Sequence, residues 1–254
     1  LFFCRLYFDF GIFLGKFAEV AAWVQAAHLY QSAAFENAML ESLRGNWAHA
    51  RVRFADAMTQ YKKETGKRKP CIEGPDSLYY TLALLQTKQT PEYSMAEEYL
   101  KRYTRQTGHY FAASAEALLK VAQSFLGMNP VFSPYTLRSS WESYSHPMDL
   151  LFRALAAYWL DAQYADTFYE ELDAKLLKAA NAGYTWWVAE AAALLQRVRP
   201  VKEKLVELSS AYFERTGTKP LVEAIRRHET WERNLDALER IADFRHSLMW
   251  GVDG

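Results

Sequence analysis

The stretch from residue 45 to residue 57 constrains the fold of this chain more than any other. Gly45, Trp47, Ala50, Phe54 and Ala57 follow one another at helical spacing. In this order a Gly starts the helix, an aromatic side chain and a small Ala let a paired helix approach, and a second aromatic fills the remaining gap. The spacing predicts paired helices and argues against a catalytic pocket in this stretch.

Helical periodicity recurs along nearly the whole of the 254 residues. Half of the residues are hydrophobic, and the low content of Gly and Pro, 11 and 8 residues, also favours helices. No stretch alternates with a period of two, as a half-buried strand would. The pattern predicts an all-α fold. The predicted helices lie in residues 12–43 (one or two helices), 47–63, 78–87, the segment after Pro91, 111–126, 148–164, 166–180, 186–198, 201–214 and 221–244.

Internal repetition points to a helical array. Residues 45–57 resemble the second helix of a tetratricopeptide unit, since the five residues above fall at its offsets. Ala50 and Ala96, which seat one helix against its partner, are 46 residues apart (96 minus 50). Tetratricopeptide units repeat about every 34 residues. The resemblance therefore implies an irregular tetratricopeptide-like array of helical hairpins, an α-solenoid.

Residues 128–147 are the least regular segment, with prolines at positions 130, 134 and 147 and several serines. Such a composition is typical of a linker. The sequence predicts a tetratricopeptide-like helical subdomain in residues 1–127, a linker in residues 128–147 and a second helical subdomain in residues 148–254. The aromatic start of the chain is interpreted as a core-facing helix or as an edge cut from a longer polypeptide.

Bulk composition excludes several classes of partner. Thirty basic and thirty acidic residues cancel, so no global field attracts nucleic acid or a membrane surface. An apolar run of about 18 residues, as a membrane span requires, is missing. Cys4 and Cys71 are too few for a disulfide framework or a zinc knuckle, which favours a reducing, cytoplasmic location. Any electrostatic partner must be recognised by a local patch.

The sharpest local charge feature is a basic run at the end of the helix that contains Ala50. Its members are Lys62, Lys63, Lys67, Arg68 and Lys69. Phosphates of a nucleic acid, or an acidic partner surface, would bind such a run. Lysines are also common at helix C-termini, where they offset the helix dipole, and we favour this structural interpretation. Thr65-Gly-Lys-Arg lacks the first Gly and the strand of a phosphate-binding loop.

No combination of residues in the sequence predicts a reaction, a metal site or a cofactor. The six histidines are scattered without an i, i+4 pair, and no Cys-x-x-Cys occurs. The adjacent acids Glu97-Glu98 and Glu170-Glu171 are typical of a solvated helix face. The aromatic residues at helical spacing favour packing between helices over stacking on bases. They include Tyr79, Tyr80, Trp159, Trp186, Trp187, Trp231 and Trp250.

The segment from Trp47 to Leu85 resembles a region of large bacterial helicase-like proteins of the Swi/Snf superfamily, which carry a long helical segment ahead of their ATPase motor. The matching features are Arg44-Gly-Asn-Trp47, the basic helix end, Gly74 and the aromatic-rich Tyr79-Tyr-Thr-Leu-Ala-Leu-Leu85. Ser247-Leu-Met-Trp250 is also similar to the Arg-Leu-x-Trp pattern found before such a motor, with Arg245 displaced.

The motor itself is missing from these residues, because neither a Walker A loop nor an Asp-Glu-x-His box occurs in the sequence. The resemblance therefore assigns no ATPase residue to this chain. It implies a helicase-associated accessory region of an ATP-dependent protein whose motor lies elsewhere. We accordingly expect a non-catalytic helical-repeat region that contacts a protein partner, the motor or nucleic acid.

The alternative is a stand-alone tetratricopeptide-like adaptor that binds peptides in a concave groove. An all-helical enzyme has the least support from the sequence. Under either of the two favoured interpretations we expect no membrane partner, no metal and no cofactor.

Overall fold

A computed structural model describes most of the chain. The described residues are 2–14, 16–28, 33–66, 72, 76–87, 89–105, 111–128, 130, 147–160 and 166–225. Every regular element within them is a helix, so the predicted all-α fold is confirmed for this part of the chain. Over the same residues, no helix combines the length and the apolar character that crossing a membrane requires.

Eleven α-helices and one short 3-10 helix make up the described residues. They are α1 (Phe2–Phe13), α2 (Phe17–His28), α3 (Ala34–Leu43), α4 (Trp47–Thr65), α5 (Asp76–Leu85), α6 (Thr90–Thr104), α7 (Ala112–Phe125), α8 (Pro147–Leu160), α9 (Asp166–Asn181), α10 (Thr185–Leu195), α11 (Glu203–Thr216) and the 3-10 helix Leu221–Glu223.

Five helices form a first row, in which each contacts the next: α3, α5, α7, α8 and α10. Several of them are nearly continuous apolar runs, such as Leu78-Tyr-Tyr-Thr-Leu-Ala-Leu-Leu85 in α5. A helix that is apolar around its whole circumference must be buried on every side. Accordingly, residues 77–85 of α5 and residues 149–160 of α8 are all buried.

The helices α4, α6, α9 and α11 form a second row, and each packs against the first-row helices next to it in the chain. Only one face of these helices is buried. In α4 that face carries Ala50, Phe54, Ala57 and Met58, whereas Ala48 is exposed. The Phe54 ring packs against Tyr80 of α5, with 5.1 Å between ring centroids. Three of the five residues whose spacing predicted helix pairing, Ala50, Phe54 and Ala57, therefore lie on the buried face of α4, whereas Trp47 is half-buried and Gly45 precedes the helix.

Residues early in the chain contact residues late in the described part. The Trp187 indole N–H donates to the Ile12 carbonyl at 3.1 Å, and the Trp47 indole N–H donates to the Ala224 carbonyl at 3.3 Å. At the turn between α3 and α4, a Cβ atom on Gly45 would overlap the Cβ of Ala224, and the φ of Gly45 is +78°. These contacts join α1 to α10, and the turn before α4 to the residues that follow the 3-10 helix.

Two predicted helices differ from the observed ones. The prediction for residues 12–43 covers the end of α1, then α2 and α3, because the chain leaves the helix after Phe13. The predicted helix 221–244 begins as the 3-10 helix Leu221–Glu223, whose Leu221 and Val222 side chains turn into the core. Residues 226–244 lie outside the described residues.

Most of the predicted linker, residues 129 and 131–146, also lies outside the described residues. The helices on either side of it, α7 and α8, pack directly against each other. Phe125 of α7 meets Trp159 of α8 edge to face, with 5.9 Å between ring centroids. The division into two subdomains stays a prediction, and both sides contribute to one hydrophobic core.

Candidate functional site

The basic run begins in the last turn of α4. Lys62 is half-buried and Lys63 is exposed, and α4 ends at Gly66, whose φ of +68° is left-handed. This position of the two lysines suits the negative end of the helix dipole. Lys67, Arg68 and Lys69 lie outside the described residues, so whether the five cations come together stays a prediction.

Lys63 belongs to a polar stripe along the solvent side of α4. His49, Arg53, Asp56, Gln60 and Lys63 are separated by four, three, four and three residues, which places them on one helix face. All of them are exposed or half-buried. The stripe carries Arg53 and Lys63 against a single carboxylate, that of Asp56.

Ion pairing distinguishes the last turn of α4 from the last turn of the neighbouring α6, although Arg51 near the start of α4 pairs with Glu92 of α6. On α6, Lys101 pairs with Glu97 at 2.7 Å, and Arg102 pairs with Glu98 one turn away. Neither Lys62 nor Lys63 forms an ion pair with another described residue. Among the described residues, no ion pair therefore fixes the two lysine ammonium groups at the end of α4.

The structure reveals a buried polar junction between α7 and α8. The Asp149 carboxylate accepts the hydroxyl hydrogen bond of Ser114 and also that of the Ser114 backbone N–H. Ser114 lies in the first turn of α7, where backbone N–H groups have no partner within the helix. Asp149 thus caps α7 from the neighbouring helix, and both side chains are buried.

Burial dominates the electrostatics of this junction, and the cations Arg153 and Lys175 act on Asp149 in the opposite direction. Burial raises the pKa of Asp149, while the charge of Arg153 and the Ser114 hydrogen bonds act in the opposite direction. Burial, followed by the charge of Arg153, lowers the pKa of Lys175 on α9. Burial also raises the pKa of Tyr103 to about 12, so that its hydroxyl stays protonated. These groups lie on α6, α7, α8 and α9, and their interactions can hold these four helices together.

Of the first acidic pair, Glu98 is exposed on α6, whereas the Glu97 side chain is only 12% exposed, so a solvated helix face does not describe it. Glu170 and Glu171 are both exposed on α9. The aromatic residues that were named above for their helical spacing are core residues wherever the structure describes them. They are Tyr79, Tyr80, Trp159, Trp186 and Trp187. Trp231 and Trp250 lie outside the described residues, as does the Ser247–Trp250 pattern.

A small pocket between α9, α10 and α11 was not predicted. Its volume is about 100 Å³, and its walls include Val188, Leu208, Tyr212 and Arg215. The Arg215 guanidinium lies 5.7 Å from the centroid of the Tyr212 ring. Residues from three helices form the pocket, so no local sequence pattern signals it. The apolar wall and the single cation suit an apolar side chain beside a carboxylate.

Within the described residues, no group of three or more His, Cys, Asp or Glu side chains is arranged to hold a metal ion. His49 is exposed on α4. The chain matches no family model, and neither a curated protein nor a solved structure is significantly similar to it. The proposals below therefore rest on the residues and their geometry.

Proposed function

We propose that this chain is a non-catalytic helical-repeat region, an irregular tetratricopeptide-like α-solenoid that acts by contact. The order of the helices supports this proposal. The first-row helices begin at residues 34, 76, 112, 147 and 185, so they recur every 35 to 42 residues. Each of them contacts the next, as stacked repeats do. In the proposed solenoid, the contacts of Trp187 with Ile12 and of Trp47 with Ala224 imply a tight curl.

The resemblance to the pre-motor region of bacterial Swi/Snf-type helicases supports a more specific role. The segment that carries the resemblance forms α4 and α5, and its basic end keeps Lys62 and Lys63 without an ion pair among the described residues. The observation that carries the proposal is this local positive charge on a neutral chain. We propose that it contacts nucleic acid, an acidic partner or the motor, and that this occurs in the cytoplasm, as the two cysteines suggest.

The alternative is an adaptor that binds peptides in a groove lined by the first row. The burial of residues 77–85 and 149–160 disfavours it, because a bound peptide needs exposed side chains to contact. The exposed faces of the second row, including the polar stripe of α4, remain accessible. We therefore place the contact surface on the second row.

The test is a binding titration with a fluorescein-labelled single-stranded DNA or RNA of about 20 nucleotides, repeated at several salt concentrations. Each phosphate contact contributes about −0.7 to the slope of log K against log salt for a single strand. Replacing Lys67, Arg68 and Lys69 with Ser should weaken binding and flatten the slope by about 2. The matched control replaces Lys101, Arg102 and Arg105 of α6, which removes the same charge from another site.

Two outcomes would contradict the proposal in different ways. The basic run would be excluded as a nucleic-acid contact if the variant of Lys67, Arg68 and Lys69 and the control variant lost equal affinity. It would also be excluded if every variant bound independently of salt. Steady ATP hydrolysis by the purified chain would contradict the non-catalytic role. A stability measurement on the variant of Lys67, Arg68 and Lys69 should show a change of about 0.5 kcal/mol or less, because the sequence predicts a solvated loop there and substitutions in such loops seldom cost more.

A further inference from the structure

Residues 220–225 connect α10 with the turn between α3 and α4, and we call this segment the strap. Its Leu221, Val222 and Ile225 side chains are buried. At one end, the Leu221 backbone N–H donates to Glu190 Oε2 of α10 at 2.7 Å. At the other end, the Ala224 carbonyl accepts the Trp47 indole N–H, and Ala224 packs against Gly45. The strap therefore holds the α3–α4 turn against α10.

Glu190 is an unusual anchor for such a segment. It lies in the apolar run Val188-Ala-Glu-Ala-Ala-Ala-Leu-Leu195, and only 3% of its surface is exposed. The Trp186 side chain donates a second hydrogen bond to it. Burial raises the pKa of Glu190 to about 8, against an ordinary value of 4.5, although both hydrogen bonds act in the opposite direction. Unlike Asp149, Glu190 has no cation among the groups that shift its pKa.

Four further charged or titratable side chains among the described residues lie around the strap. Tyr212 of α11 faces Glu190, and burial, followed by the charge of Glu190, raises the pKa of Tyr212. Arg215 lies beside the Tyr212 ring. On the strap itself, Glu223 pairs with Lys219 at 3.7 Å, near the surface. Among the described residues around the strap, Glu190 is therefore the buried carboxyl group whose proton affinity depends on whether the strap covers it.

We propose that residues 220–225 are a pH-sensitive strap, which stays closed over Glu190 while this carboxyl group is neutral and opens when it ionises. The physical reason is that the strap covers the carboxyl group. An ionised carboxylate in an apolar interior needs water, and opening the strap supplies it. Opening also releases the hydrogen bond between the Trp47 indole and the Ala224 carbonyl, so the contact between the α3–α4 turn and the strap is lost as well.

The sign of the effect follows from proton binding. In the closed state Glu190 keeps its proton up to about pH 8, whereas in the open, solvated state it releases its proton near 4.5. Between these values the closed state binds one more proton than the open state. The opening equilibrium must therefore rise with pH, by at most about tenfold per pH unit. Below pH 4.5 the strap has its full stability.

The test is amide hydrogen exchange of the Leu221 N–H between pH 5 and pH 8, corrected for the intrinsic exchange rate. In the native chain the protection factor should fall with pH, approaching tenfold per unit. Glu190→Gln keeps the shape of the neutral side chain and cannot ionise, so its protection factor should not change with pH. The matched control is Glu207→Gln on the exposed face of α11, which should keep the native slope.

A second variant and an internal reference keep the test decisive if Glu190→Gln does not fold. Trp47→Phe removes the indole hydrogen bond at the far end of the strap, so it should lower protection at every pH and leave the slope unchanged. The Phe152 amide of α8 serves as the reference, because global unfolding would expose it together with Leu221. The proposal would be overturned if the protection factor of the Leu221 N–H in the native chain did not change with pH. It would also be overturned if Glu190→Gln kept the native slope, or if the Leu221 and Phe152 amides showed equal slopes.

Discussion

Helices α5 and α8 are buried around their whole circumference, whereas α4 and α11 each keep one face in solvent. The difference shows how two rows of helices divide their tasks. In the first row a polar side chain must find a partner inside the protein, as Asp149 does with Ser114. In the second row, charges such as Asp56 and Lys63 remain solvated. Substitutions should therefore be costly in the first row and mild on the solvent face of the second.

The largest effect is expected for Phe152→Ala in the first row. Phe152 is fully buried on α8 and packs edge to face against Tyr79 of α5, with 6.1 Å between ring centroids. Truncating a buried Phe typically lowers the free energy of unfolding by about 3–5 kcal/mol. Val52→Ala on the solvent face of α4 should cost about 0.5 kcal/mol or less. Denaturant titration of both variants measures the two losses in the free energy of unfolding. Similar losses would contradict the proposed difference between the two rows.

A smaller effect is expected for Ser114→Ala at the polar junction. The variant removes the hydroxyl donor to the buried Asp149 carboxylate, and a hydrogen bond to a charged group contributes about 1.5–3 kcal/mol to stability. The second-row counterpart is Arg102→Ala, which breaks the exposed pair with Glu98 and should cost about 0.3–0.5 kcal/mol. Thermal unfolding of the two variants measures the difference, and a larger loss for Arg102→Ala would contradict it.

The comparison becomes sharper within a single second-row helix. Ala50 of α4 is fully buried, and Ala48 two residues earlier is exposed. Ala50→Leu overfills the contact between helices and should lower the free energy of unfolding by about 1–3 kcal/mol. Ala48→Leu should leave it nearly unchanged. Equal losses in the melting temperature would mean that the assigned register of α4 is wrong.

The parts of the fold with a local signal could be predicted from the sequence. Helix α4 was recognisable because its apolar residues repeat at helical spacing and Gly66 ends it. Helix α5 was recognisable as an apolar run between polar segments, although its pattern does not show which helices surround it. The contacts of Trp187 with Ile12 and of Trp47 with Ala224 join residues 175 and 177 positions apart, so they depend on how all the helices between them pack. No local sequence pattern encodes that packing.

The polar residues of the interior were missed for a different reason. Asp149 and Glu190 each stand in an apolar sequence, and a lone carboxyl group in such a run is a signal of a buried acid. Neither residue belongs to a charge run or to a pair of acids, which are the patterns that drew attention to other charged residues of the sequence. Their partners, the Ser114 side chain and the Leu221 backbone, lie 35 and 31 residues away, so pairing them required the fold.

The contact between Trp47 and Ala224 has a consequence for the time course of synthesis. The two residues are 177 positions apart, so the α3–α4 turn leaves the ribosome long before its partner exists. At about 5–20 residues per second, the delay is about 9–35 s. Neighbouring helices can pair during this interval because their contacts are local. The hydrogen bond between the Trp47 indole and the Ala224 carbonyl can therefore form only after residue 224 has been synthesised, and it distinguishes a chain that has reached this residue from a shorter one.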